Sequence, residues 1–251
     1  MTVRLRGFHP LFHLPHNPMD FLAESLLAAL RMIWSLDPEM YFVVYVSLSV
    51  SFFSTLIASL LGVPLGFLIA VRQFRGKRVV ITILNTMLAL PTVVIGLFVY
   101  AFLSRSGLLG FMGLLYTPKA IIIGQVILIL PWVATFTMAA VSRIDERYRN
   151  TALTLGASGM QAVLAVAREA RFGILAAIIA AFGRVIAEIG IAMMLGGNIK
   201  GFTRTMTTAM ALEHNKGEFV LAVALGIVLL TVSLLMNIVL QLAQGKYGDN
   251  R

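Results

Sequence analysis

Cysteine is absent from the 251 residues, which excludes disulfides, thiolate metal sites and cysteine nucleophiles. Charge is scarce too: 12% of the residues are Asp, Glu, Lys or Arg, against about 25% in soluble domains. Acids are the scarcer sign, 11 against 20 basic residues. No metal-ligand spacing, no nucleophile paired with a base and no G-x-x-x-x-G-K phosphate loop occurs, so no catalytic site, metal or bound cofactor is expected. His9, His13 and His16 are separated by Pro10 and Pro15, which break any helix that would align the three rings. Short alternating segments of the kind that build a membrane barrel are missing as well.

What remains is apolar: 59% of the residues. Met40–Val71, Val79–Ser104, Ala120–Ser142 and Phe219–Gly245 carry no charge at all. Each exceeds the roughly 20 residues a helix needs to cross a bilayer. Phe172–Ile199 is a fifth such segment, interrupted only by Arg184 and Glu188. The expected fold is an all-α membrane protein with five transmembrane helices, a permease domain over 40–245. A tail over 1–18 and an interfacial amphipathic helix over 19–39 precede it, and a tail over 246–251 follows. Pro64, Pro91 and Pro131 fall inside spans, where membrane helices tolerate or kink at proline. Gly62 and Gly66 form a G-x-x-x-G suited to close helix contact, or to ordinary packing.

The net charge of +9 does not point to nucleic acid, because of where it sits. Arg72, Arg75, Lys77 and Arg78 crowd the turn after the first span, and Arg143, Arg147, Arg149, Arg168 and Arg171 occupy the loop 142–171. Basic loops stay in the cytoplasm. The N-terminus is then outside, the C-terminus inside, and the protein lies in the cell membrane, the inner membrane of a bacterium.

The loop Ser142–Arg171 contains the small-residue run Ala152–Gly159 and a plausible helix over Met160–Arg171. Gly156 permits a positive φ or a close backbone approach. Such a turn can dock a soluble partner, and it can equally be an amphipathic surface loop. Within the spans, Glu188 is the one mid-span acid, with Arg184 one turn before it. An acid held ionised by a fixed arginine is a poor proton carrier. The pair either locks this helix to its neighbours or lines a path. Energy for transport must come from an ion gradient or from a partner ATPase.

The loop resembles the cytoplasmic signature of the membrane subunit of ABC importers: glutamate, alanine, alanine, three residues, glycine. Here it falls on Asn150, Thr151, Ala152 and Gly156, with Ala152 and Gly156 matching strictly; Leu155 and Ala157 complete the expected coupling segment. The family's isoleucine-x-leucine-proline falls on Val166–Glu169 and lacks the proline. Five spans with the loop after the third resemble the compact, methionine-importer type. Phe182–Met210 further resembles permeases for the oxyanions molybdate and tungstate, through Arg184, Glu188, Gly190, Gly196–Ile199 and the threonines 203, 205, 207 and 208. Asp37–Glu39 and Val71–Arg78 look closer to the tungstate branch.

The resemblance implies a homodimer, a cytoplasmic ABC ATPase dimer that binds the ATP, and an extracytoplasmic oxyanion-binding protein. On the outer side Asn198, Lys200, Thr203, Arg204, Thr205 and Thr207 are candidates for the anion path, since hydroxyls can hydrogen-bond an oxyanion and cations attract it. The threonine run is equally suited to capping a short outer helix. The rivals are a molybdate or other anion permease and, in another class, a carrier driven by an ion gradient.

Overall fold

The computed structural model describes residues 18–35 and 37–245. The expected C-terminal tail, all but Pro18 of the N-terminal one, and His9, His13 and His16 lie outside them. The described residues form helices and connecting turns: α1 Pro18–Trp34, α2 Pro38–Val71, α3 Lys77–Leu88, α4 Thr92–Leu103, α5 Pro118–Ser142, α6 Glu146–Thr154, α7 Gly159–Ile186, α8 Gly190–Gly196, α9 Met206–Lys216 and α10 Phe219–Gly245. Helices α2, α5 and α10 are each long and apolar enough to cross a membrane, and the bent pairs α3–α4 and α7–α8 bring the number of spans to five.

Local chemistry sets the ends of the long helices. Asp37 caps α2 by accepting from the Met40 N–H at 2.9 Å, with Pro38 in the first turn. Thr117 caps α5, and Pro118 follows it. Proline at such a position loses nothing, because the first N–H groups of a helix have no intrahelical partner.

Helices α2 and α5 form the centre. Val46 and Val50 meet Ile121, Ser54 Oγ donates to Gln125 Oε1 at 2.8 Å, and Gly62 faces Leu130 and Val133. Gly66 backs onto Ala134. The contacts advance together along both helices, so the two cross the membrane in the same direction. That is the arrangement expected when one span separates them. Pro64 and Pro131 sit inside this packed pair and leave both helices continuous.

The segment 79–104, expected as one span, is instead broken. Helices α3 and α4 meet at 99°, with Pro91 as the residue before α4. Proline has no N–H and disfavours helix at the residue before it, here Leu90. Helix α3 lays Leu84, Val80 and Ile81 against Ile69, Ala134 and Met138.

The segment 172–199, also expected as one span, is broken too. Helix α7 starts well inside the basic loop, at Gly159, through a capping box in which Ser158 and Gln161 exchange hydrogen bonds of 2.7 and 3.3 Å. The helix expected over 160–171 is therefore the first part of α7. The helix stops at Ile186, and α8 leaves at 59°. Helix α10 lies beside α7 and α9, and α1 packs on α10 through Ala29, Met32 and Ile33 against a cluster that includes Ala224 and Leu225.

Candidate functional site

Three places carry the residues singled out by sequence. The first is the loop 142–171. Asp145 caps α6 by accepting from the Arg147 N–H. The helix closes with two reverse bonds, Ala157 N–H to Ala152 O and Gly156 N–H to Leu153 O, both 3.0 Å. With Gly156 at φ +87°, this is a Schellman stop. Asn150, Thr151, Ala152, Leu155, Gly156 and Ala157 thus form one rigid helix-and-turn. Its outer face is apolar and open: Leu155 is 82% exposed and Tyr148 49%. Behind it, a cleft of about 340 Å³ is lined by Arg149 and Asn150 on one side and Gln73 and Lys77 on the other. The two basic loops therefore share one end of the molecule.

The second place is the opposite end. Lys200 pairs with Glu39 at 2.7 Å. Arg204 reaches Glu39 at 3.9 Å and the buried Glu213 at 4.0 Å, and Lys216 bridges Glu213 at 3.0 Å. Arg204 Nη2 also donates to the Asn198 carbonyl, at 3.5 Å. The threonines are engaged. Thr203 bonds Gly196 O and the Ile199 N–H. Thr205 and Thr208 make the capping box of α9. Thr207 donates to the Glu188 carbonyl at 2.9 Å. This brace ties the start of α2, the loop after α8 and α9 together, and Met206 N–H to Ser47 Oγ at 2.6 Å anchors it to α2. Beside it, a cavity of about 620 Å³ is lined by Leu97, Tyr100, Tyr116 and Ile199 among others. A hydrogen bond with Tyr100, helped by mutual repulsion and slight burial, pushes the Tyr116 phenol above its ordinary range.

The third place is the break between α7 and α8. Sequence spacing puts Arg184 and Glu188 one turn apart on a continuous helix. The structure puts Glu188 beyond the end of α7. Its Oε1 accepts from the N–H groups of Gly190 at 2.8 Å and Ile191 at 3.3 Å, capping α8. Its Oε2 meets Arg184 Nη1 at 3.4 Å. Glu188 is 3% exposed at its side chain and Arg184 36%, so the pair is half open and does not lie wholly within the bundle. The break touches the other bend, since a Cβ on Gly190 would lie 3.0 Å from Thr92 Oγ1. Trp132 of α5, not singled out by sequence, stands under Arg184, whose Cζ is 5.9 Å from the ring centre. Only a shared face of α5 and α7 could have revealed it.

A capped loop on a frame of apolar spans is the architecture of a membrane protein, and sequence similarity says of which class. Residues 62–247 match the family described as binding-protein-dependent transport system inner membrane component; the chain belongs to that family and is an inner-membrane transport subunit. It is 37% identical over 222 residues to the tungstate uptake system permease protein TupB of Peptoclostridium acidaminophilum, covering 88% of this chain and 97% of that one. It is also 37% identical over 221 residues to the protein of the same name from Campylobacter jejuni, covering 88% and 92%. The fold is similar to a chain of the MetNI methionine ABC transporter in an inward-facing form, with a TM-score of 0.65 at 18% identity over 86% of this chain and 97% of that one.

Proposed function

We propose that this chain is the membrane-spanning subunit of an ATP-driven importer that carries tungstate into the cell. The observation that carries this reading is the 37% identity over 88% of the chain to a permease named for tungstate uptake. The capped α6 turn, rigid and apolar outward, gives the mechanical part. A cytoplasmic ATPase dimer grips it on each of two copies, binds the ATP, and moves α6 with α7, whose helix runs from the loop into the membrane without interruption. The basic loops face the cytoplasm, so the N-terminus is outside and the C-terminus inside. An extracytoplasmic binding protein delivers the anion at the end where Lys200 and Arg204 lie.

A second copy completes the path. Ala180 and Gly183 are exposed small residues on α7, and the exposed Ala187 follows just past its end; small residues let helices approach closely. A Cβ on Gly183 would meet nothing within 4 Å in a single protomer. Gly183→Leu should therefore fold normally yet lower the fraction of dimer, read by light scattering in detergent. A variant that stays fully dimeric places the interface elsewhere.

The test of function is uptake into vesicles that hold the chain with its ATPase and binding protein. Tungstate should accumulate only with ATP inside, and molybdate should compete more weakly. Accumulation driven by an imposed proton or sodium gradient, without ATP, would make the chain a secondary carrier.

A further inference from the structure

We infer that Arg184 and Trp132 form an anion-coordinating site in the permease itself, in which Arg184 of each of two copies contacts one tetrahedral dianion. The inference rests on the oxyanion reading above and adds where in the membrane-spanning part the anion is held.

Glu188 leaves most of the Arg184 fork unused. Its buried carboxylate is stabilised chiefly by α8, whose first N–H groups it accepts at 2.8 and 3.3 Å. Such groups are free donors at a helix start and favour a negative charge. The Arg184 contact is longer, 3.4 Å, and uses one nitrogen. A guanidinium has five N–H donors in a planar fork. Among the described residues only this one bond from Arg184 is present. The rest of the fork makes no hydrogen bond among the described residues, on a side chain 36% exposed, within a segment that crosses the membrane. An exposed cation is costly in lipid, so this face must line a polar path.

Trp132 supports the same reading from another helix. Its Nε1 is buried and has no hydrogen-bond partner, and the Thr135 hydroxyl one turn on is in the same condition. Indole N–H can only donate. An unpaired buried donor calls for a partner, and a ligand or a water can supply it. Guanidinium, indole N–H and hydroxyl are all donors, and an oxyanion offers acceptors alone. A second copy across the α7 face brings a second Arg184, and two guanidinium charges match the two charges of a tetrahedral dianion.

The chain has two tryptophans, and Trp34 is 89% exposed on α1. In purified Trp34→Phe permease, Trp132 is then the sole tryptophan, and selective excitation of indole reads it apart from the six tyrosines. Titration with tungstate should change its emission saturably. Arg184→Met in that background should remove the response, and Arg184→Lys should weaken it about tenfold, the worth of a charged hydrogen bond. Glu188→Gln separates this role from a structural one: freeing the guanidinium should strengthen the response. In the reconstituted importer Arg184→Met should lower uptake by about tenfold or more, by the same measure. The site is refuted if Trp132 does not respond, if the response survives Arg184→Met, or if Glu188→Gln weakens it as much as Arg184→Met does. Tungstate uptake by the unsubstituted importer decides the substrate reading separately.

Discussion

Replacing Gly156 with tryptophan is expected to abolish ATP-driven uptake while leaving the helical bundle folded. Gly156 adopts φ +87°, a conformation that costs an L-residue roughly 1 to 2 kcal/mol. A Cβ there would meet nothing within 4 Å, so a side chain can leave the backbone freely and the main cost within the protomer is this strain. The loop lies outside the spans and away from the α2–α5 centre. What suffers is the outer surface: an indole on the turn after Leu155 blocks whatever seats against α6. The ATPase should fail to copurify, or should hydrolyse ATP without transport. Wild-type uptake with normal copurification would remove α6 from the coupling role. Gly156→Ala, strained but small, should fall between the two.

The second large effect is expected at Gly66, and it is on folding. A Cβ at Gly66 would run into the Ala134 carbonyl, backbone that cannot turn aside. Gly66→Val forces α2 and α5 apart along their whole contact, including the buried Ser54–Gln125 bond. Overpacking a well-filled core costs about 1 to 3 kcal/mol, and a clash with backbone lies at or above the top of that range. The expected result is little folded protein by size-exclusion chromatography. Gly62→Ala should be milder, because its Cβ would lie 3.0 Å from Val133 Cβ and Cγ1 and 3.2 Å from the Leu130 carbonyl, tight contacts that ask for a shift of a few tenths of an ångström and not the overlap met at Gly66. Gly159→Ala, where a Cβ meets nothing, is the neutral control. Equal yields for Gly66→Val and Gly159→Ala would mean that the α2–α5 contact does not hold the fold.

The rest of the outer brace follows the same logic of counting partners. Arg204 is 12% exposed and faces two carboxylates, Glu39 and Glu213. Lys200 is 66% exposed and faces one. Surface pairs of the second kind contribute about 1 kcal/mol or less. The brace is therefore a framework around Arg204 that holds the outer ends of α2 and α9 together.

The sequence by itself determined which stretches enter the membrane, which end is basic, and where the inner turn lies. Those follow from composition and from single residues: charge is excluded from lipid, and Gly156 can take the positive φ that a helix stop needs. It also held both readings of the threonine run, and Thr205 with Thr208 does cap α9. Only the tertiary structure decided which prolines break a helix. Pro64, Pro91 and Pro131 look alike in the chain. Pro64 and Pro131 are held between two packed helices, which keep them in line. Pro91 follows α3, whose apolar face binds α5 and turns the chain by 99°. The same holds for Glu188. Spacing makes it a helical neighbour of Arg184, but its carboxylate finds the free N–H groups of α8. Whether a buried carboxylate takes a side-chain cation or a helix start depends on which donors tertiary packing places within 3 Å, and that is invisible to sequence spacing.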